Sequence, residues 1–141
     1  MGKPLENIKV LDLTRVLAGP FCTMILNDLG AYVLKVEMLE TGDDARAYGP
    51  FKNGQSLYFV SINRGKESIS LNLKTDKGKV ILKELVKKFD VVIENHRNPL
   101  GTGIPPSLHS RHSKPKMIIL LSHSAMTICG KNSAMQLAGM N

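Results

Sequence analysis

The first candidate for ligand binding is the segment Val16, Leu17, Ala18, Gly19 and Pro20, which follows the first apolar run of the chain. A strand that runs directly into small residues at a helix start leaves backbone N–H groups unpaired beside the positive end of the helix dipole. Such a turn can receive a phosphate or the polar edge of a ligand. It is not the dinucleotide fingerprint, because no G-x-G-x-x-G is present. The alternative is a strand-to-helix turn without a ligand.

Other residues whose side chains could act in catalysis or bind a metal ion are not spaced for either role. The carboxylates Asp43 and Asp44 lie in a glycine-rich stretch, which indicates acids of a loop. Histidine and cysteine side chains form metal sites only when the fold presents them at ligand spacing. The candidates lie where no helix is predicted, and we predict no metal site from them: His109, His112, His123 and Cys129.

Hydrophobic periodicity predicts the elements that would position the first segment. Apolar runs and alternation indicate strands, and the i, i+3, i+4 spacing indicates helices. The predicted elements, in chain order, are a strand at 8–13, a helix at 19–30, a strand at 31–36, a helical piece at 57–60, a strand at 69–73, a helix at 75–89 and a strand at 91–93. This order predicts an α/β fold, with a Rossmann-like, largely parallel sheet and flanking helices.

The composition divides the chain near Asn95. All 12 Asp and Glu residues precede that position, and all 4 His residues follow it. We predict two segments, an incomplete α/β portion at 1–95 and a divergent, basic, irregular tail at 96–141. Within the tail, 117–121 is typical of a last strand, and 122–141 favours at most a weak helix. An altered reading frame would explain the lack of acids, and translating the other frames of the coding DNA tests this.

Charge and hydropathy exclude several classes of function. The net charge is +7 with a pI near 9.5, but the basic residues are diffuse, so we expect no nucleic-acid binding. Residues 1–10 lack the apolar run of a secretory signal. The longest apolar stretch, 117–121, is too short for a membrane span. Cys22 and Cys129 have neither redox nor metal spacing, which favours free thiols and a cytoplasmic location.

Residues 1–95 resemble the N-terminal portion of a family III CoA-transferase, the CaiB/BaiF-like group that includes formyl-CoA and succinyl-CoA transferases. The resemblance depends on the order and spacing of several blocks, each of them weak alone. These blocks are residues 5–20 (LENIKVLDLTRVLAGP), 29–31 (LGA), 35–37 (KVE), Gly42-Asp43, Arg46, 63–66 (NRGK), 68–73 (SISLNL) and 90–95 (DVVIEN).

The resemblance implies that CoA binds to three backbone segments and one further position. The second segment is placed at a strand end, where ligands of parallel sheets commonly bind. The implied CoA-binding residues are Val16, Leu17 and Ala18; Leu71, Asn72, Leu73 and Lys74; Asn95, His96 and Arg97; and Met38.

Several of these positions depart from the family pattern. Met38 stands where some members place an arginine near the CoA phosphates, and Lys35 and Arg46 are the nearby cations that could substitute for it. His96 replaces an aromatic residue that would pack against the adenine. Arg15 lies where members often have His or Arg; it either reaches the acyl group or is a surface arginine.

The resemblance also implies a reaction. Intact members transfer CoA from an acyl-CoA to a carboxylic acid through a covalent intermediate on one Asp carboxylate, with no permanently bound cofactor. That Asp belongs to a region well beyond Asn95, where this sequence has no carboxylate side chain. We therefore predict no catalytic residue in this chain and no activity of the chain alone. Intact members form interlocked homodimers, which we do not expect of so short a piece. The alternative is a non-catalytic CoA-binding or partner-binding module, completed by a second chain that supplies the Asp.

Overall fold

A computed structural model describes residues 2–95 and, in the tail, the backbone of three strands at 117–121, 125–130 and 134–138. The strands are β1 Lys9–Asp12, β2 Tyr32–Met38, β3 Phe51–Lys52, β4 Gln55–Ser56, β5 Glu67–Leu71, β6 Val91–Glu94, β7 Met117–Leu121, β8 Ala125–Gly130 and β9 Ala134–Ala138. The helices are α1 Ala18–Asp28, α2 Leu57–Asn63 and α3 Asp76–Lys88, with a short 3₁₀ helix at Asp44–Ala47.

Seven of these strands form one sheet in the order β5-β2-β1-β6-β7-β8-β9. The pairs from β5 to β7 are parallel, whereas β8 and β9 continue the sheet antiparallel. The chain proceeds from β1 outward to β5 and then returns to β6 on the other side of β1. This reversal confirms the predicted Rossmann-like sheet, and in such sheets ligands commonly bind outside the carboxyl ends of the strands.

The helix boundaries follow local chemistry. Helix α1 is followed by Gly30 at φ +106°, a conformation that glycine adopts without strain. Helix α3 begins after Thr75, whose Oγ1 accepts a hydrogen bond from the Gly78 N–H at 3.1 Å. Asp76 occupies its first turn, where the helix dipole favours an anion. The predicted helices at 19–30 and 75–89 are confirmed as α1 and α3, and the predicted helical piece at 57–60 lies within α2.

The two faces of the sheet bury separate clusters. Residues of α3 cover one face, and residues of α1 pack on the other. The α3 face buries Leu11, Leu13, Leu34, Val36, Leu82, Val86, Phe89 and Val92, and the α1 face buries Val10, Ala31, Val33, Val91 and Ile93. Parallel strands covered on both faces require apolar residues at consecutive positions, as the sequence of β1 and β6 has.

The tail differs from its prediction in one respect. The strand predicted at 117–121 is confirmed as β7, but the weak helix within 122–141 is wrong, because that stretch forms β8 and β9. The edge of β7 offers unpaired backbone groups, and β8 pairs with it from Met117↔Gly130 to Leu121↔Met126. The β-branched pair Thr127 and Ile128 suits such a strand better than a helix. The irregular structure predicted for 96–116 falls outside the described residues.

Candidate functional site

The turn between β1 and α1 has an unusual backbone. Val16 lies at φ +71°, a region that β-branched residues rarely adopt. Leu17 and Ala18 are exposed, and Leu17 contributes no side-chain cap to α1. The N–H groups of Ala18 and Gly19 stand at the open, positive end of the helix. A side chain at Gly19 would collide with Thr14, since an ideal Cβ lies 2.2 Å from Thr14 Cβ, so the turn is closely packed beneath.

A groove of about 890 Å³ lies beside this turn, at the carboxyl ends of β1, β2 and β5. Its wall includes five of the predicted CoA-binding residues: Met38, Leu71, Asn72, Leu73 and Lys74. Val16, Leu17 and Ala18 precede α1 and are not part of this wall. Arg15, which directly precedes them, does line the groove, so the turn and the groove are adjacent.

Asn95 joins the ends of the two central strands. Its Oδ1 accepts a hydrogen bond from the Arg15 N–H at 2.9 Å, and its Nδ2 donates to the Arg15 carbonyl at 2.8 Å. The amide therefore holds the end of β6 against the residue that enters the β1–α1 turn. The neighbouring predictions, His96 and Arg97, lie outside the described residues.

Arg15 lies between the loop acids and the groove. Its guanidinium forms an ion pair with Asp44 at 3.3 Å and contacts Met38 Sδ at 3.7 Å. The side chain is about a third exposed, so it is neither a free surface arginine nor a buried one. Both acids lie in the connection after β2: Asp43 precedes the 3₁₀ helix and is buried, whereas Asp44 begins that helix and is partly exposed.

Of the two acids, Asp43 is the one hydrogen-bonded to the β1–α1 turn. Its Oδ1 accepts hydrogen bonds from the Val16 N–H at 3.1 Å and the Ala45 N–H at 2.9 Å. Its Oδ2 lies 2.8 Å from the Lys35 Nζ, and both side chains are 1% exposed. Lys35 Nζ also donates to the Thr14 carbonyl at 2.8 Å. A buried ion pair thus connects β2, the loop after it and the end of β1.

Glu37 forms a second buried ionic centre on β2. Arg46 donates to both of its carboxylate oxygens, from Nε at 2.7 Å and from an Nη at 2.8 Å, and Ser68 Oγ donates at 2.5 Å. Burial would raise the pKa of Glu37, but the Arg46, Ser68 and Asp43 N–H donors outweigh it and lower the pKa to about 2. Arg46 also stacks 3.8 Å from the centre of the Phe59 ring.

The two cations expected near the CoA phosphates already have acidic partners. Lys35 is 1% exposed and is engaged by Asp43 and Thr14, whereas Arg46 is bonded to Glu37 and does not line the groove. Replacement of the arginine missing at Met38 by either cation stays a prediction. The described cations that line the groove besides Lys35 are Arg15, Lys74 and Lys79. Lys79 was not predicted; it pairs only weakly with the exposed Asp76, at 3.4 Å.

A third ionic centre anchors α1 to the sheet. Asp12, fully buried in β1, accepts hydrogen bonds from Thr14, from Thr23 Oγ1 at 2.6 Å and from Lys66 Nζ at 3.1 Å. Burial raises the pKa of Asp12, but Lys35, Lys66 and the two threonine donors together bring it below its usual range. Burial lowers the pKa of Lys66 despite the neighbouring Asp12. Lys66 Nζ also donates to the Pro20 carbonyl and to Asn63 Oδ1, each at 2.8 Å.

Glu94 ends β6 and is 5% exposed. Burial alone raises the pKa of its carboxyl group to about 7. Burial therefore favours the protonated form of Glu94, whereas the donors around Glu37 favour its ionised form.

Sequence reasoning missed the buried charges of β2 and of the Asn63–Lys66 turn. A charged residue at every second position of a strand covered on both faces, as with Lys35 and Glu37, indicates internal ion pairs. Within residues 2–95 and the three tail strands, no His, Cys, Asp and Glu group is placed to hold a metal ion. In the same part of the chain, no helix has the length and apolar character needed to cross a membrane.

The fold agrees with comparisons to known proteins. The profile of the family described as CoA-transferase family III matches residues 5–123. The match covers most of the chain and extends past Asn95 to include β7. This chain belongs to the CoA-transferase family III.

Individual relatives are longer proteins. The succinyl-CoA:glutarate CoA-transferase of Mus musculus is 57% identical over 95 residues, which are 67% of this chain and 22% of the relative. The formyl-CoA:oxalate CoA-transferase of a Bradyrhizobium strain is 42% identical over 125 residues, 84% of this chain and 28% of the relative. A crystal structure of a CaiB/BaiF family protein from Brucella suis superimposes with a TM-score of 0.72 at 40% identity, covering 86% of this chain and 33% of that one. The chain thus spans between a fifth and a third of these proteins.

Proposed function

We propose that this chain is the CoA-binding portion of a family III CoA-transferase. Val16, Leu17 and Ala18 would bind CoA through their backbone, and Met38 and the segment 71–74 would form the wall along which the CoA chain lies. Asn95, His96 and Arg97 would complete the site at the end of β6. Acyl-CoA is the substrate, and we propose no permanently bound cofactor.

One observation carries this proposal. The groove at the carboxyl ends of β1, β2 and β5 is adjacent to the uncapped N-terminus of α1, and Arg15, Lys74 and Lys79 line it. A positive helix end and three cations suit the phosphates of CoA, whereas Leu71 and Leu73 provide an apolar wall for its pantetheine arm. Its volume, about 890 Å³, is in the range of pockets for small ligands.

The reaction proposed for the intact protein is transfer of CoA from an acyl-CoA to a carboxylic acid. The nucleophile would be an aspartate carboxylate that attacks the thioester carbon, forms an acyl-enzyme anhydride and releases the CoA thiolate. The thiolate would then attack the aspartyl carbonyl of the anhydride, which gives an aspartyl-CoA thioester and releases the donor acid. The acceptor carboxylate would attack this thioester to form a second anhydride and free the thiolate. Attack of the thiolate on the acceptor carbonyl would give the new acyl-CoA and return the aspartate. Residues 95–141 contain no Asp or Glu, so we propose that the 141-residue chain does not perform this transfer alone. We propose the cytoplasm as its location.

Isothermal titration calorimetry of the purified 141-residue chain with CoA tests the binding proposal. We expect saturable binding, and we expect Lys74→Ala to weaken it by about threefold to tenfold, as for the loss of one hydrogen bond to phosphate. Lys83→Ala is the matched control, because Lys83 is an exposed lysine outside the groove. Equal losses in the two variants would mean that only diffuse charge attracts CoA, and no binding at all would refute the proposal.

A transferase assay tests the proposal about activity. The chain is mixed with succinyl-CoA or formyl-CoA and a dicarboxylic acceptor, and products are separated by chromatography. We expect none from the chain alone. Turnover by the purified chain would contradict the proposal that it lacks the nucleophile. Turnover only after addition of a second protein from the same cell would instead favour the CoA-binding module completed by another chain.

A further inference from the structure

The β1–α1 turn needs an internal contact to keep its shape. Val16 lies at φ +71°, where a β-branched side chain crowds its own backbone. Such a conformation persists only when the surrounding structure holds it. The turn also presents Leu17 and Ala18, whose backbone is the part proposed to meet CoA. Whatever holds Val16 therefore sets the direction of the ligand-binding backbone.

Asp43 is the side chain that holds it. Its Oδ1 accepts the Val16 N–H at 3.1 Å, across 27 positions of sequence. Its Oδ2 lies 2.8 Å from Lys35 Nζ, and Lys35 in turn donates to the carbonyl of Thr14, two residues before Val16. Asp43 and Lys35 thus form hydrogen bonds with the backbone on both sides of Arg15, at Val16 and at Thr14. Both side chains are 1% exposed, so water does not compete for these bonds.

Asp43 is itself fixed from the β2 side. Its backbone N–H donates to Glu37 Oε2 at 3.0 Å, and Arg46 binds the same oxygen at 2.7 Å. Gly42, at φ +68°, has no room for a side chain, because an ideal Cβ would lie 2.8 Å from both Arg46 and Glu37. The residues from Glu37 to Asp43 also line the groove. The wall of the groove and the β1–α1 turn are therefore linked through one carboxylate.

We propose that Asp43 is a positioning residue for CoA, which holds the Val16–Ala18 backbone in its binding geometry by accepting the Val16 N–H while Lys35 neutralises its charge. Asp43 makes no contact with the ligand in this assignment and takes no part in the chemistry. The assignment rests on the proposed function, since CoA is the ligand that the turn would receive.

Two double variants separate the hydrogen bond from the charge. Asp43→Asn with Lys35→Met keeps an Oδ1 acceptor for Val16 and leaves no unpaired buried charge. Asp43→Ala with Lys35→Met makes the same change of charge but removes the acceptor. The two variants differ only in the group at position 43, so differences between them report on the acceptor. Calorimetry with CoA and amide hydrogen exchange at Val16 and Leu17, followed by NMR, are the two measurements.

The asparagine variant is expected to bind CoA within about threefold of the unmodified chain. The alanine variant is expected to bind about tenfold more weakly than the asparagine variant, the effect of losing one well-made buried hydrogen bond. Exchange of the Val16 amide should be faster in the alanine variant alone. A purely structural role of Asp43 would lower the stability of the alanine variant without changing the CoA affinity of its folded fraction.

Equal CoA affinities in the two variants, or equal exchange at Val16, would overturn the assignment. If the unmodified chain binds no CoA, the proposed function fails first. The exchange measurement still decides whether Asp43 holds the turn, since it requires no ligand. If the Val16 amide then exchanges equally fast in the two variants, the assignment fails as well. If it exchanges faster in the alanine variant, Asp43 still positions the turn, for whichever ligand occupies it.

Discussion

The two faces of the sheet are buried by different chemistry. On the α3 face, β1 and β2 present Leu11, Leu13, Leu34 and Val36 to Leu82 and Val86, so that the layer is apolar along its length. On the α1 face the same strands begin with Val10 and Val33 but end in buried charges. The charges at the strand ends are Asp12, Lys35 and Glu37, and they lie beside the groove and the β1–α1 turn.

This difference separates the part that holds the fold from the part that holds the site. Apolar contacts are non-directional and accept small shifts, whereas buried ion pairs require defined partners and distances. Buried ion pairs are therefore better suited than apolar contacts to hold a turn whose backbone must keep a fixed orientation. We infer that the α3 face contributes stability without fixing the site, whereas the buried charges at the carboxyl end of the α1 face also fix the geometry of the turn.

The largest expected effect lies on the charged side. Lys66→Met leaves Asp12 buried without the cation that is hydrogen-bonded to it, and the free energy of unfolding should fall by about 3–5 kcal/mol. Chemical denaturation measures it, with Lys52→Met on the exposed hairpin as the control. Adding Asp12→Asn to Lys66→Met should recover part of the loss. A decrease in the free energy of unfolding below about 1 kcal/mol would show that Asp12 and Lys66 do not form a specific buried ion pair.

A substitution on the apolar α3 face should lower the free energy of unfolding without changing the affinity of the site for CoA. Leu82→Ala removes a side chain that is 2% exposed and leaves a cavity against the sheet, at a cost of about 3 kcal/mol. The CoA affinity of the folded protein, measured by calorimetry at low temperature, should remain within about twofold. A tenfold loss of affinity in this variant would contradict the division between the two faces.

A smaller effect is expected from Glu94, which ends β6. Its folded pKa of about 7 lies above the ordinary 4.5, so the folded state binds the proton more tightly than the unfolded state does. Its contribution to stability is therefore complete below pH 4.5 and is lost as the pH rises to about 7. Glu94→Gln mimics the protonated group, so it should stabilise the chain by roughly 2 kcal/mol at pH 8 and leave it unchanged at pH 4. Equal differences at both pH values would exclude burial of an ionisable carboxyl group.

Sequence reasoning found the elements better than the contacts between them. Strands and helices follow apolar periodicity and caps such as Thr75, which are local, and these predictions are confirmed. The pairing of Asp43 with Lys35 and Val16 spans separate elements, so no local pattern shows it. Residues 122–141 were mistaken for a weak helix, because pairing with the edge of β7 is a tertiary effect that propensity does not contain. The contacts of CoA with the predicted residues stay a prediction.

The most direct test of the account is a titration of the isotope-labelled 141-residue chain with CoA, followed by amide NMR. We expect the largest shifts at Leu17, Ala18, Asn72, Leu73 and Lys74, with little change along the outer face of α3 around Lys83. This pattern would place the ligand at the carboxyl ends of the parallel strands. Saturation with shifts confined to α3, or the absence of shifts at millimolar CoA, would contradict the account.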